Sequence, residues 1–340
     1  MAGINSEILV IHPLHTNNSM ATQPLNQPTV SVIMNCLNCA KYLREAIDSV
    51  FAQTYKDWEI IFWDNASTDN SAKIAKSYGE KVRYFRSNIT YPLGKARNLA
   101  IEQARGKYIA FLDCDDIWLP KKLERQIPFF QDPEVGLVFS DAIYFKSKNV
   151  SMQLYRKKRP PCGQVFRELL KGNFFFPMCT ALIRKDALLG LREWFDVRFN
   201  LVEDIDLFMR LAYAWKCNYI DKPLAKYRIH ESSWTFTQKE LLPKEMEMEV
   251  AKLCQLYPCL ETDFKDELAV MNGRIQYQYA LLDWEKGRGK RVRQRLRPYL
   301  KVARKYWVPY FFSFLPYNVL YLRLRKLRTT IRYCTWWKKI

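Results

Sequence analysis

The chain has 340 residues, 49% of them apolar and 15% aromatic, which excludes a disordered protein and leaves room for one large domain with an appendage, or for two domains. Its formal charge of +19 is concentrated at one end. Residues 285–340 hold 17 Lys plus Arg against the single acid Glu285, a net +16, whereas residues 1–284 carry 37 bases and 34 acids, a net +3. The nine cysteines are odd in number and scattered, which excludes a secreted disulfide framework and points to a reducing compartment. Cys36 and Cys39 form a CxxC, but no second Cys or His pair follows at similar spacing, so no zinc site is expected.

Residues 1–28 are rich in Asn, Thr, Gln and Pro and lack both a basic n-region and a sustained apolar core. They read as a loosely ordered leader rather than a signal peptide. Regular patterning starts at Thr29. TVSVIMNC (29–36) is a β-branched run, and the helical pattern over 40–53 places Leu43, Ala46, Ile47 and Val50 on one face. WEIIFW (58–63) predicts a second strand ending at Asp64, followed by loop and cap residues and a helix through Tyr78. A third strand over 82–85 leads through Pro92 and Gly94 into a helix over 95–104. The fourth strand lies in YIAFLDCDDIWLP (108–120), and the helix after it is expected to begin at Trp118-Leu119-Pro120. This βαβαβαβ order predicts a mostly parallel sheet flanked by helices, with ligands beyond the carboxyl ends of the strands, where Asn35, Asp64 and Asp113 sit.

In the fourth strand, apolar residues run into Asp113-Cys114-Asp115-Asp116. Residues i and i+2 of an extended chain point the same way, so Asp113 and Asp115 can share one hard cation and, through it, a phosphate; the alternative is a solvated acidic loop capping the next helix. Farther on, the pattern predicts a helix to Phe130, strands over 136–145 and 174–184, a helix over 204–215, strand and turn over 218–228, and helices over 238–282.

Five segments, taken together and in order, resemble the inverting glycosyltransferase family 2. They are VSVIMNCLNCAKYL (30–43), WDNASTDNS (63–71), LGKARNLAIEQARGKYIAFLDCDD (93–116), VEDIDLFMRL (202–211) and YRIH (227–230), and the resemblance covers roughly residues 29–235. It implies a GT-A fold and transfer of one sugar from a nucleotide-diphosphate sugar, of the UDP type, to a glycan or lipid-linked acceptor. The roles it implies put Asn35, Asn38, Asp64, Arg97 and Asp113 on the nucleotide sugar, with Asp64 accepting from the base ring. Asp115, with Asp113 and His230, would hold a divalent metal, Mn or Mg. Asp204 would be the base that takes the acceptor proton, with Glu203 orienting it, and a helix N-terminus would favour its ionised form. Asp116 is expected to cap the helix after it, and Asp206 to complement a helix dipole. Two features depart from the family pattern. Asn35-Cys36-Leu37-Asn38 stands where Pro-Thr-x-Tyr-Asn is frequent, removing an aromatic that would stack on the base. Leu201 and Val202 precede the acidic pair where small residues are frequent, which is expected to narrow the acceptor side.

Residues 236–340 are expected to form a helical extension. Its basic part, 285–340, combines Arg and Lys with an uncharged 17-residue run, 306–322, broken by Pro309 and Pro316. That suits an interfacial anchor on anionic membrane better than a span, and places the protein at the inner, cytoplasmic face. The alternative is a charge run packed as a helical subdomain. A nucleic-acid-binding protein would also carry a basic, aromatic tail, but it leaves the acidic motifs without a role, so no nucleic acid is expected.

Overall fold

The computed structural model describes residues 27–315 apart from 148–149, 157–158, 173–175, 231–237 and 239; the expected leader over 1–26 and the segment 316–340 lie outside it. The first half follows the predicted alternation: β1 (Val30–Cys36), α1 (Ala40–Phe51), β2 (Trp58–Asp64), α2 (Ser71–Lys76), β3 (Val82–Arg86), α3 (Leu93–Glu102) and β4 (Tyr108–Phe111). Then come β5 (Ile117–Trp118), α4 (Lys122–Gln126), β6 (Val135–Ser147), β7 (Val150–Gln153), α5 (Phe166–Leu170), β8 (Leu182–Arg184), α6 (Lys185–Leu189), α7 (Glu203–Ala214) and β9 (Lys216–Arg228). The helices α8 (Leu241–Leu256), α9 (Leu260–Asp263), α10 (Lys265–Glu285), α11 (Gly289–Leu296) and α12 (Trp307–Phe312) follow.

One sheet runs β3-β2-β1-β4-β8-β6-β9-β5, with β7 on β6. Strands β1 to β4 are parallel, and β8 is antiparallel to both β4 and β6. The central strands are apolar on both faces because helices cover both. Alternate residues therefore feed different cores: Val32, Met34, Ile60, Phe62 and Ala110 pack with the α1 face, while Ile33, Ile61, Ile109 and Phe111 pack with Ala96 and Ala100 of α3. Entry into β4 requires a glycine. A Cβ at Gly106 would lie 2.5 Å from the Ser31 backbone nitrogen, and Ser31 Oγ accepts the Gly106 N–H at 2.8 Å.

Two predicted elements differ in the structure. Ile117–Trp118 is a strand, not a helix start, because it pairs antiparallel with Lys226 and Ala225 of β9; the Trp118 indole is buried and donates to Cys179 O at 2.9 Å, and the helix begins only at Lys122. Of the strand expected over 174–184, residues 173–175 lie outside the described set, Met178–Thr180 is a 3-10 turn and only Leu182–Arg184 is extended. Pro177 opens that turn, and Thr180 Oγ1 closes it by donating to Pro177 O at 2.8 Å.

The C-terminal helices are built onto this body. Leu242, Met246 and Leu253 of α8, with Leu268, Met271 and Ile275 of α10, share a core with Leu169, Phe208 and Leu211. Glu245 of α8 accepts the backbone N–H groups of Asn200 and Leu201, at 3.0 and 2.8 Å. The start of the basic tail is packed as well. Val292 and Leu296 of α11 and Tyr306 are buried against Tyr277, Ala280 and Trp284 of α10.

Candidate active site

From Leu112 to Trp118 burial alternates with period two. Leu112, Cys114, Asp116 and Trp118 are buried, whereas Asp113, Asp115 and Ile117 are half-exposed. The chain from Asp113 to Asp116 is a turn, closed by the Asp116 N–H to Asp113 O at 3.0 Å, and not the extended run that the i, i+2 spacing assumed. His230, just beyond β9, places Nε2 2.7 Å from Asp115 Oδ2, and its ring lies against Tyr42. Asp116 turns inward and caps no helix; its Oδ1 accepts the Arg228 backbone N–H at 2.8 Å. Burial, reinforced by Asp115 and Asp113, pushes its pKa well above the usual carboxylate range. Arg228 is a residue the sequence reading missed, although it stands inside YRIH. Its Nε donates to Asp115 O at 2.7 Å, its Nη2 pairs with Glu45 at 2.5 Å, and its guanidinium covers Tyr42 and Phe145.

At the neighbouring strand ends, Asp64 is fully buried. Its Oδ1 accepts the Ser67 N–H at 2.7 Å, and its Oδ2 accepts the Tyr84 hydroxyl at 2.5 Å and Arg86 Nη1 at 2.8 Å. Tyr84 and Arg86 come from β3, which short-range patterns around Asp64 do not reveal. Oδ1 carries a single donor and keeps one lone pair unused, but the side chain has no exposed surface, so a ligand would reach it only by displacing what covers it. Asn35, next to last in β1, has its side-chain Nδ2 buried and unpartnered. Asn38 adopts φ 56°, in the left-handed region that Asn tolerates, and its Oδ1 accepts the Thr68 N–H at 2.8 Å; this carbonyl is committed to tying the β1–α1 loop to the β2–α2 loop.

Arg97 of α3 is 3% exposed and spans the two halves of the site. Nη2 reaches Asp113 Oδ1 at 3.1 Å, and Nη1 reaches Glu203 Oε1 at 2.9 Å. The guanidinium therefore has two carboxylate partners from within the chain, where the sequence suggested contact with nucleotide. Burial acts to lower the Arg97 pKa, but the charges of Asp113, Glu203 and Asp204 outweigh it and raise it. Glu203 and Asp204 form the first turn of α7. Burial pushes Glu203 up to about 8 against the pull of Arg97, and pushes Asp204 up to about 6 against the same pull. The helix N-terminus does not hold Asp204 in the ordinary aspartate range, because desolvation exceeds the dipole contribution. The two neighbours nevertheless titrate apart, with Asp204 the more readily ionised at neutral pH.

Asp206 serves neither the site nor only a helix dipole. It is fully buried and paired with Arg210 at 2.5 Å and Lys252 at 2.8 Å, which fastens α7 to α8. Val202 is fully buried and lines a cavity with Ile205, Phe208 and Met246.

For a divalent cation, the structure brings Asp115 and His230 together; Asp113 is turned toward Arg97, and the donor atoms of the three do not all lie within 4.8 Å of one another. Two carboxylates and an imidazole suit a hard ion such as Mn or Mg.

Residues 31–191 match the family described as Glycosyl transferase family 2. An uncharacterized glycosyltransferase of Methanocaldococcus jannaschii is 34% identical over 216 residues, covering 60% of this chain and 72% of that protein. One from Rickettsia conorii is 33% identical over 227 residues, which is 64% of this chain but 36% of the longer relative. Among solved structures, TarS of S. aureus in complex with UDP superposes with a TM-score of 0.56 at 19% identity, over 72% of this chain and 70% of that one. The mannosyltransferase PcManGT of Pyrobaculum calidifontis, in complex with GDP-Man and Mn2+, superposes with a TM-score of 0.52 at 15% identity over 85% of each chain. The architecture is thus that of the GT-A glycosyltransferases, a mixed α/β sheet with a helical C-terminal region. The chain belongs to glycosyl transferase family 2.

The Arg97 bridge carries a test of its own. Arg97→Met removes the hydrogen-bonding partner shared by Asp113 and Glu203 and is expected to destabilise the fold by about 1–3 kcal/mol in chemical denaturation. Adding Glu203→Gln removes one of the two carboxyl groups left without their partner, so the double variant should be more stable than the sum of the singles by at least about 0.5 kcal/mol. Strict additivity would show that the contact does no coupling.

Proposed function

We propose that this protein moves one sugar from a nucleotide-diphosphate sugar, of the UDP class, to a hydroxyl of a glycan or lipid-linked acceptor, by a single displacement that inverts the anomeric centre. The observation that carries the reading is the Asp113–Arg97–Glu203 bridge. It ties the carboxylates at the end of β4 to the acidic pair that opens α7, and so sets a candidate base beside a candidate donor site. The UDP and GDP-Man bound in TarS and PcManGT support a nucleotide-sugar donor.

In this reading Asp64 Oδ1 accepts from the base ring, and the unpartnered Nδ2 of Asn35 donates to the nucleotide. Asp113, Asp115 and His230 would hold Mn or Mg, which when bound supplies positive charge against the leaving diphosphate. Arg97 acts as a positioning residue. Asp204 takes the proton of the acceptor hydroxyl as that oxygen attacks the anomeric carbon and the nucleotide diphosphate departs in line. Glu203, which holds its proton to higher pH, orients the acceptor side.

The proposed location is peripheral, on the inner face of the membrane. No helix among the described residues is long and apolar enough to cross a membrane. At the C-terminal end Trp307, Val308, Phe311, Phe314 and Leu315 are exposed together, beside exposed Arg297, Lys301, Arg304 and Lys305. Aromatic side chains bordered by cations suit the boundary of an anionic bilayer. Although α11 packs as part of the body, this edge still offers an anchor.

Two outcomes are expected. Asp204→Asn should lower kcat by about 10²–10⁴-fold while leaving donor affinity unchanged in calorimetry. Because the base acts as a carboxylate and its pKa is raised to about 6, kcat/KM for the acceptor should be level above that pH and fall about tenfold per unit below it. Full turnover in Asp204→Asn would remove the residue from this role. For the membrane edge, flotation with anionic vesicles should carry the wild-type chain and leave the Trp307→Ser/Phe311→Ser/Phe314→Ser variant largely behind; equal flotation of the two would rule out this edge as the anchor.

A further inference from the structure

The sequence offered a single CxxC and no partner for it. The sheet supplies one. In the parallel pairing of β1 with β4, Ile33 lies opposite Phe111, and Leu112 N–H continues the ladder to Ile33 O at 3.0 Å. Three residues beyond each member of that pair stand Cys36 and Cys114, so the register itself brings two cysteines 78 positions apart to the same level. Between them the chain turns back at Asn38, in its left-handed conformation, and delivers Cys39 at the N-cap of the 12-residue helix α1. The three Sγ atoms all lie within 4.8 Å of one another, and none is in a disulfide. Among the described residues this is the one grouping of three or more His, Cys, Asp or Glu side chains whose donor atoms converge so closely.

The surroundings suit a thiolate at Cys36, whereas Cys114 donates its S–H to Asn35 O at 3.2 Å and Cys39 donates to Leu37 O at 3.5 Å, two contacts that metal binding would replace. Cys36 and Cys114 are 1% and 2% exposed, while Cys39 is half-buried and leaves a way in. Ser67 Oγ lies 3.8 Å from Cys36 Sγ and is placed to donate to it, and the N-terminus of α1 contributes partial positive charge at Cys39. The site is chemically distinct from the one at Asp113, Asp115 and His230. Because burial alternates along 112–118, Cys114 is buried while its neighbours Asp113 and Asp115 are half-exposed. Soft thiolates select zinc-like ions, whereas carboxylates select Mg and Mn.

We propose that Cys36, Cys39 and Cys114 form a binding site for one thiophilic divalent ion of the zinc class, with three thiolate ligands and a fourth position open to water on the Cys39 side. Each thiol gives up its proton to solvent as its sulfur donates an electron pair to the ion, so loading releases up to three protons. The bound ion staples the end of β1, the start of α1 and the acidic loop after β4 to one point, fixing the backbone from which Asp113 and Asp115 project.

The test uses the full-length chain, reduced and stripped of metal, titrated with Cd2+ or Co2+ alone. A sulfur-to-metal charge-transfer absorption that saturates at one equivalent is expected. Cys39→Ser should weaken binding by more than about 100-fold, since loss of a direct ligand exceeds the usual effect of losing a supporting hydrogen bond. Cys162→Ser and Cys259→Ser, which remove exposed thiols, and Asp115→Asn should leave the signal unchanged. Alkylation followed by mass spectrometry gives a second reading on the wild-type chain, in which loaded metal should protect Cys36, Cys39 and Cys114 together. Metal binding without a sulfur band, a band that survives Cys39→Ser, or one that disappears with Cys162 or Cys259 would each overturn the proposal, as would unprotected alkylation of the three.

Discussion

One buried arginine holds the two halves of this site in register. Arg97 sits on α3, whose small residues Ala96 and Ala100 let it lie close on the sheet, and its guanidinium reaches forward to Asp113 and across to Glu203, 106 positions later in the chain. An ion held this far from water costs several kcal/mol in lost hydration, and is stable only with good geometry and full pairing. A planar fork with separate nitrogens for the two carboxylates meets that condition, which a lysine at the same place does not. Asp204, half-buried next to Glu203, has its pKa raised by desolvation against the pull of the same arginine. A residue of α3 therefore bears on the charge of the acidic pair that opens α7.

The sheet is equally economical in its use of periodicity. Four residues, Asp-Cys-Asp-Asp, present three different chemistries because the turn they form buries every second side chain. Asp113 and Asp115 stay half-exposed, Cys114 joins the sulfur cluster, and Asp116 anchors the backbone of Arg228. Arg228 in turn holds Asp115 O, so the two strands that carry Asp115 and His230 are locked to each other before any ligand arrives.

Much of this is legible in the sequence. The first four strand and helix units are written in local patterns, with β-branched runs and an α1 face at Leu43, Ala46, Ile47 and Val50, and the structure has them within a few residues. Asp113, Asp115, His230, Glu203 and Asp204 could be singled out because their motifs come in order. What was not legible depends on long-range pairing. Ile117–Trp118 has the look of a helix start until β9 lies beside it. Tyr84 and Arg86 reach Asp64 only because β3 is its sheet neighbour, and Cys114 meets Cys36 only because β1 and β4 share a register. For the basic tail the sequence left open an interfacial anchor or a packed helical subdomain, since nothing local announces that α10 offers Tyr277, Ala280 and Trp284 to cover Val292 and Leu296.

The central claim is that Asp113, Asp115 and His230 bind a nucleotide sugar through a hard cation. Calorimetry of UDP-sugar binding, with Mn2+ and with EDTA, in the wild-type chain and in Asp115→Ala tests it most directly. The account predicts that wild-type binding requires the metal and that Asp115→Ala, still folded, loses more than about tenfold in affinity, or about 1.4 kcal/mol. Equal, metal-independent affinity in both proteins would contradict it.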